Sequence, residues 1–181
     1  MKTMKTSQCT DGSGARRVAL FPGSFDPFTR GHESIVRRAL PLFDELIIAV
    51  GVNPTKRAFM DAEARMRFIR EVMADEPRVR VISYEGLTVD IARECGARFL
   101  LRGVRMIQDF ENEMHMAEVN RQLSGIETVL LYTLPEDSHI SSSIVRELAG
   151  HGCDITSYLP ASAPAHLLPE VQQQAPSSTN P

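Results

Sequence analysis

An α/β fold is predicted for this chain: one doubly wound domain with a five-stranded parallel sheet and helices on both faces. Short apolar, β-branched runs alternate with amphipathic helical segments from residue 18 to residue 149, the order that builds a parallel sheet through crossover helices. Several runs are apolar at consecutive positions, as strands covered on both faces must be. The first run also ends in Phe21-Pro-Gly-Ser-Phe-Asp-Pro-Phe-Thr-Arg-Gly-His32, a glycine- and proline-containing turn into a helix start. Backbone N–H groups and the helix dipole there converge on one place where a phosphate can sit.

The elements run in order along the chain. Residues 18–21 read as a buried strand, and 32–43 as a helix with Ile35, Val36, Ala39, Leu40 and Phe43 on one stripe. Residues 45–52 form a strand. Residues 61–74 form a helix with Asp61 as N-cap and Met66, Ile69, Val72 and Met73 facing inward. A strand at 79–83 precedes a short helix at 88–95, which Gly96 ends. A strand at 98–101, a long helix at 107–123 ending near Gly125, a strand at 128–133 and a serine-capped helix at 142–149 complete the series. Residues 1–16 read as a disordered extension, 17–160 as the domain, and 161–181, with prolines and glutamines, as a short helix and frayed tail.

Composition narrows the function. With 181 residues and 43% hydrophobic content, one core-bearing domain is expected. A net charge of −3 gives no bulk attraction to nucleic acid or anionic membrane. Three widely spaced cysteines and no CxxC pattern argue against disulfides and structural zinc. No apolar run reaches the ~18 residues of a membrane span, and no signal core precedes the domain, so a cytoplasmic protein is expected.

Ligands of such sheets bind at the carboxyl ends of the strands, and the chemistry-bearing residues fall there. Gly23 to His32 follow the first strand and Asn53 to Lys56 the second. Leu87 and Thr88 follow the third, Arg102 to Arg105 the fourth, and Ser138 to Ser143 the fifth. A neutral His32 near a helix N-terminus can donate to a phosphate oxygen. Lys56 can reach a phosphate as a flexible point charge. Arg102 and Arg105 flank Gly103 and could clamp a polyphosphate with two forks, or else pair with the acids early in the next helix, Asp109, Glu111 and Glu113. Ser141, Ser142 and Ser143 exceed what one N-cap needs and can line a phosphate cradle. Asp26 reads as a turn-former bonding to backbone rather than as a base. With no GxxxxGK[ST], GxGxxG or GxSxG run, the inventory suits nucleotidyl transfer by positioning and charge stabilisation.

Thr29-Arg30-Gly31-His32 and Ile140-Ser-Ser-Ser-Ile-Val-Arg146, joined by Leu101-Arg-Gly-Val-Arg105, Asp109-Phe-Glu-Asn-Glu-Met114 and Ala117-Glu-Val-Asn-Arg121, resemble the nucleotidyltransferase superfamily with an (H/T)xGH signature. Within it they are most similar to the bacterial phosphopantetheine adenylyltransferases, over residues 17–160. The resemblance implies a Rossmann-like fold and reversible adenylyl transfer from ATP, with Mg2+, to 4′-phosphopantetheine, giving dephospho-coenzyme A and pyrophosphate. It implies that His32 stabilises the transition state. Ser24 and Lys56 would hold the attacking phosphate and the transferring group, Arg105 the ATP phosphates, and Arg102 the acceptor. Phe25, Gly103, Val104, Glu113, Asp137, Ser138, His139, Ile140, Ser141, Ser142 and Ser143 match ATP-contacting positions. Thr88, Leu87, Asn120 and Glu147 match the acceptor side. No metal-ligating residue is implied. A homohexamer inhibited by coenzyme A is implied, with no nucleic-acid or membrane partner. Asn112 and His139 stand where aromatic residues are common. Two alternatives remain at this level: another adenylyl- or cytidylyltransferase, such as one acting on nicotinamide mononucleotide, or a non-catalytic nucleotide-binding module.

Overall fold

The structure, a computed structural model, describes residues 15–55, 57–164 and 166. Five parallel strands, β1 (Val18–Gly23), β2 (Glu45–Gly51), β3 (Val79–Tyr84), β4 (Phe99–Val104) and β5 (Glu127–Tyr132), form one sheet in the order β3-β2-β1-β4-β5. Helices α1 (Arg30–Ala39), α2 (Ala62–Val72), α3 (Thr88–Glu94), α4 (Ile107–Ser124) and α5 (Ser142–Gly150) connect and follow them. The doubly wound five-stranded fold is the one expected.

Strand alternation splits the core in two. Ala19 and Phe21 of β1 pack with Leu46, Ile48 and Val50 of β2 against Ile35 and Val36 of α1, Ile69 and Val72 of α2, and Val145 of α5. Val18, Leu20, Ile47 and Ala49 point the other way, onto Ala92 of α3 and Leu100 of β4. Every inward position named for the first two helices is buried, Ile35 to Phe43 and Met66 to Met73.

Local chemistry sets the ends. Asp61 accepts the Ala64 amide at 2.7 Å to start α2. Gly125, at φ +72°, ends α4 in the left-handed conformation that glycine adopts without steric cost. The first helix stops at Ala39, because Pro41 has no N–H to continue the ladder, and a 3-10 turn over Leu40–Leu42 still buries Leu40. Other boundaries differ from expectation, three of them beside the crevice between β1 and β4. Strand β1 runs to Gly23, and α1 begins two residues earlier, with Thr29 as N-cap. Strand β4 continues through Arg102, Gly103 and Val104, because these pair in register with Leu130, Leu131 and Tyr132. The extension at 1–14 and most of the expected C-terminal helix lie outside the described residues. Residues 161 and 162 form a turn.

Strand order reverses beside β1, so the crevice between the carboxyl ends of β1 and β4 is the place for a ligand. Gly23 sits at its lip. A Cβ there would lie 2.8 Å from the Phe25 ring. Gly23→Ala must therefore displace that ring, and a urea unfolding curve should show a loss of about 1–3 kcal/mol.

Candidate active site

The loop leaving β1 is buried although it is irregular. Phe25, Asp26, Phe28 and Thr29 are all at most 7% exposed. Buried backbone groups need partners, and the loop finds them in side chains from other elements. Arg102 of β4 donates to the Pro22 carbonyl at 2.6 Å, Arg65 of α2 to that of Ser24 at 2.7 Å, and Arg146 of α5 to that of Asp26 at 2.6 Å. Ser142 donates to the Pro27 carbonyl at 2.9 Å. The Asp26 carboxylate accepts the Phe59 and Met60 amides, each at 2.8 Å. Asp26 thus bonds to backbone as expected, but across the fold rather than within its own turn.

His32 stands in the first turn of α1. The Thr29 amide donates to its Nδ1 at 3.0 Å. An amide can only donate, so Nδ1 carries no proton, and the neutral ring holds its proton on Nε2. Phe25 meets the ring edge-on at 5.1 Å and Phe28 lies 5.4 Å away. Desolvation in this nest, followed by the nearby Arg105 and Arg102, lowers the His32 pKa from 6.5 to about 4. The ring is therefore neutral near pH 7, a donor without a charge of its own.

Opposite His32, β4 and α4 present two arginine–carboxylate pairs. Arg102 binds Glu113 with both prongs, at 2.8 and 2.5 Å. Arg105 holds Asp109 at 3.0 and 3.3 Å and reaches the Ile140 carbonyl at 3.3 Å. Burial alone would raise the Asp109 carboxyl, but the Arg105 hydrogen bonds outweigh it and keep the group below its ordinary range. The third wall is the start of α5, where the Ser141 side chain accepts the Ile144 amide at 3.2 Å.

Together these groups line a cleft of about 350 Å3 that gathers Ser24, Phe25, His32, Arg102, Gly103, Arg105, Glu113, Ile140, Ser141, Ser142 and Ser143. It opens past Ser24 and Arg102 into a second hollow bordered by Asn53, Tyr84 and Thr88, and past Arg102 into a narrow pocket of about 120 Å3 reaching Thr88, Asn120 and Met116. Arg102 borders all three. Other expected site residues lie elsewhere. Val104 is buried at 1% exposure and does not border the cleft. Asp137 is buried and bound to Arg30, and the Ser138 hydroxyl donates to the Pro135 carbonyl. His139 rests its ring edge near Tyr158. Leu87 is exposed at the start of α3, Glu147 is exposed on α5, and Lys56 lies outside the described residues. Sequence reasoning missed Arg65 and Thr29 as site builders and left Arg146 unassigned. The signal for Thr29 was its place three residues before His32, the spacing of a capping box.

The unfolded chain, with its histidine at 6.5, takes up a proton that folded His32 refuses until about 4. Stability from this group is therefore full above 6.5 and falls as acid is added through that window. In urea titrations His32→Gln should flatten this part of the pH dependence; an unchanged slope would contradict the burial of a neutral ring.

Over residues 20–148 the chain matches the cytidylyltransferase-like family. It is 54% identical over 144 residues to the phosphopantetheine adenylyltransferase of Flavobacterium johnsoniae, covering 80% of this chain and 95% of that protein. It is 49% identical over 144 residues to the phosphopantetheine adenylyltransferase of Bacteroides fragilis, covering 80% and 96%. The fold also resembles the crystal structure of a bifunctional NMN adenylyltransferase/ADP ribose pyrophosphatase from Francisella tularensis, with a TM-score of 0.69 at 14% identity. That match covers 89% of this chain and 52% of the other.

Proposed function

The chain belongs to the phosphopantetheine adenylyltransferase family and is a nucleotidyltransferase; we propose that it transfers the adenylyl group of ATP to 4′-phosphopantetheine, reversibly, within coenzyme A biosynthesis. The observation that carries this reading is the neutral His32 ring, its Nδ1 occupied by the Thr29 amide, in a cleft bordered by Arg102 and Arg105. An oxygen of the acceptor phosphate attacks the α-phosphorus of ATP in line. The new P–O bond forms as the bond to the β-phosphate oxygen breaks, and pyrophosphate leaves. No covalent enzyme intermediate is needed, so the residues act by position and charge. The Nε2–H of His32 donates to a non-bridging oxygen of the crowded α-phosphate, where charge builds up.

The cleft divides by substrate. Arg105, the amides of Ser141, Ser142 and Ser143 and the hydroxyls of Ser141 and Ser143 face the nucleotide phosphates, at a helix N-terminus suited to anions. Arg102, which borders all three hollows, holds the acceptor phosphate with Ser24 and Lys56, while Thr88 and Asn120 flank the arm. Glu113 and Asp109 occupy the arginine forks that phosphate oxygens take when substrate enters. Mg2+ is assigned to the substrate, as Mg–ATP.

We further propose self-association into the hexamer and inhibition by coenzyme A, the product-like ligand of the same cleft. The support for assembly is α4, which has no buried residue and exposes Ile107 at 79%, Met116 at 53% and Leu123 at 57%, apolar side chains that a partner would cover. Among the described residues no helix is long and apolar enough to cross a membrane, consistent with activity in the cytoplasm.

Pyrophosphate release from Mg–ATP, with 4′-phosphopantetheine, nicotinamide mononucleotide and glycerol 3-phosphate as parallel acceptors, tests the reaction. Release with phosphopantetheine alone is expected; release with another acceptor moves the chain to a sister activity, and none with any of them leaves a binding module. His32→Ala should lower kcat roughly a hundredfold or more, and a fall below tenfold would contradict its role.

A further inference from the structure

Arg30 is the one member of the Thr29-Arg30-Gly31-His32 run that lies outside the cleft, and the reaction gives it no part. Each nitrogen of its guanidinium nonetheless donates a hydrogen bond outside the cleft. Nε donates to the Asp137 carboxylate at 2.7 Å, Nη2 to the Glu136 carbonyl at 3.0 Å, and Nη1 to the Ser157 carbonyl at 2.9 Å. The Asp137 side chain is 8% exposed, so this ion pair is anchored in the protein on one side. The Cβ of Asp137 also lies 3.8 Å from where a Cβ on Gly31 would be, so the segment after β5 rests directly on the start of α1.

Beyond Asp137 the chain enters the nucleotide wall. The Asp137 carbonyl accepts the Ile140 amide at 2.9 Å. Ile140 borders the cleft, and its own carbonyl accepts from Arg105. Ser141 then caps α5. One guanidinium therefore joins the first turn of the His32 helix to the segment that aims Arg105 and the start of α5. It also ties both to the 3-10 turn at Thr156–Tyr158.

We propose that Arg30 is a positioning residue for nucleotide binding: through Asp137 and Glu136 it docks the segment between β5 and α5 against α1, so that Ser141–Ser143 and Arg105 face the triphosphate of ATP. The inference rests on the adenylyl-transfer reading and assigns Asp137 to this dock rather than to ATP itself. Without Arg30, the buried Asp137 carboxylate is left unpaired and swings toward water, carrying the cradle with it. The acceptor side, with Ser24 after β1, Arg102 on β4, Thr88 on α3 and Asn120 on α4, is untouched.

Steady-state kinetics and calorimetric titration with Mg–ATP, on the full chain, test this. From the cost of unpairing a buried carboxylate, Arg30→Met should raise KM and Kd for Mg–ATP by about tenfold or more, with kcat and the acceptor KM within about threefold of the parent. Arg30→Lys, which keeps the charge but offers one nitrogen in place of the three that reach Asp137, Glu136 and Ser157, should fall between. It also decides the matter if Arg30→Met does not fold: a Kd for Mg–ATP equal to the parent's in Arg30→Lys overturns the proposal. So do equal losses in both substrates' KM values and in kcat, which a general loss of structure would give. A parent protein that binds no Mg–ATP overturns the functional reading instead, and not the dock alone.

Discussion

A buried irregular loop is tolerable only if its carbonyls are satisfied, and this constraint organises the molecule. The loop leaves the central strand, where the sheet and its covering helices exclude water. Pro22, Ser24, Asp26 and Pro27 present carbonyls that Arg102, Arg65, Arg146 and Ser142 satisfy. Those donors come from β4, α2 and α5, so the loop cannot be placed until three other elements are. A net hydrogen bond is worth only about 0.5–1.5 kcal/mol, but an unsatisfied buried carbonyl costs the full desolvation of the group. The pattern therefore matters more for fixing one geometry than for its sum in stability.

The same constraint makes the site. Arg102 and Arg146 both border the cleft while holding loop carbonyls; the remaining nitrogens of Arg102 bind Glu113, and Nη2 of Arg146 donates to the Ser143 hydroxyl. Phe25, whose φ is +47°, turns its ring under Gly23 and against His32. Conformational cost at Phe25, the absence of a side chain at Gly23 and the neutrality of His32 are then parts of one arrangement. The loop supplies the apolar nest, the nest keeps the imidazole uncharged, and the Thr29 amide decides which nitrogen carries the proton. Positive charge at the site comes from the arginines instead, whose protonation does not vary over any working pH.

Much of this was legible in the residues. The alternation of apolar runs and periodic helices gave the strand count, and the caps at Asp61, Ser141 and Gly125 fell where their chemistry put them. Strand order was not legible, because pairing partners depend on contacts far apart in sequence. The end of β4 was misplaced because an arginine after Phe99-Leu-Leu101 reads as leaving the sheet. In the fold, Arg102 stays in the ladder and turns its long side chain over the edge. Likewise, Asp137 reads as a nucleotide contact from its neighbours in sequence, and the pairing of its carboxylate with Arg30, 107 positions away, is invisible at that range. Arg65 carried no signal at all. On an amphipathic helix a lone arginine reads as surface, and only the loop's need for a donor explains its burial.

The folded loop holds His32 neutral with its proton on Nε2, and the rest of the site depends on that state. Side-chain 15N NMR of the histidines, with His32 assigned by comparison to His32→Gln, measures it directly. A neutral ring with a protonated Nε2 is expected throughout the range between 6.5 and the lowered pKa of about 4, charging only near the lower limit. A ring that titrates near 6.5, or one that carries its proton on Nδ1, would contradict it.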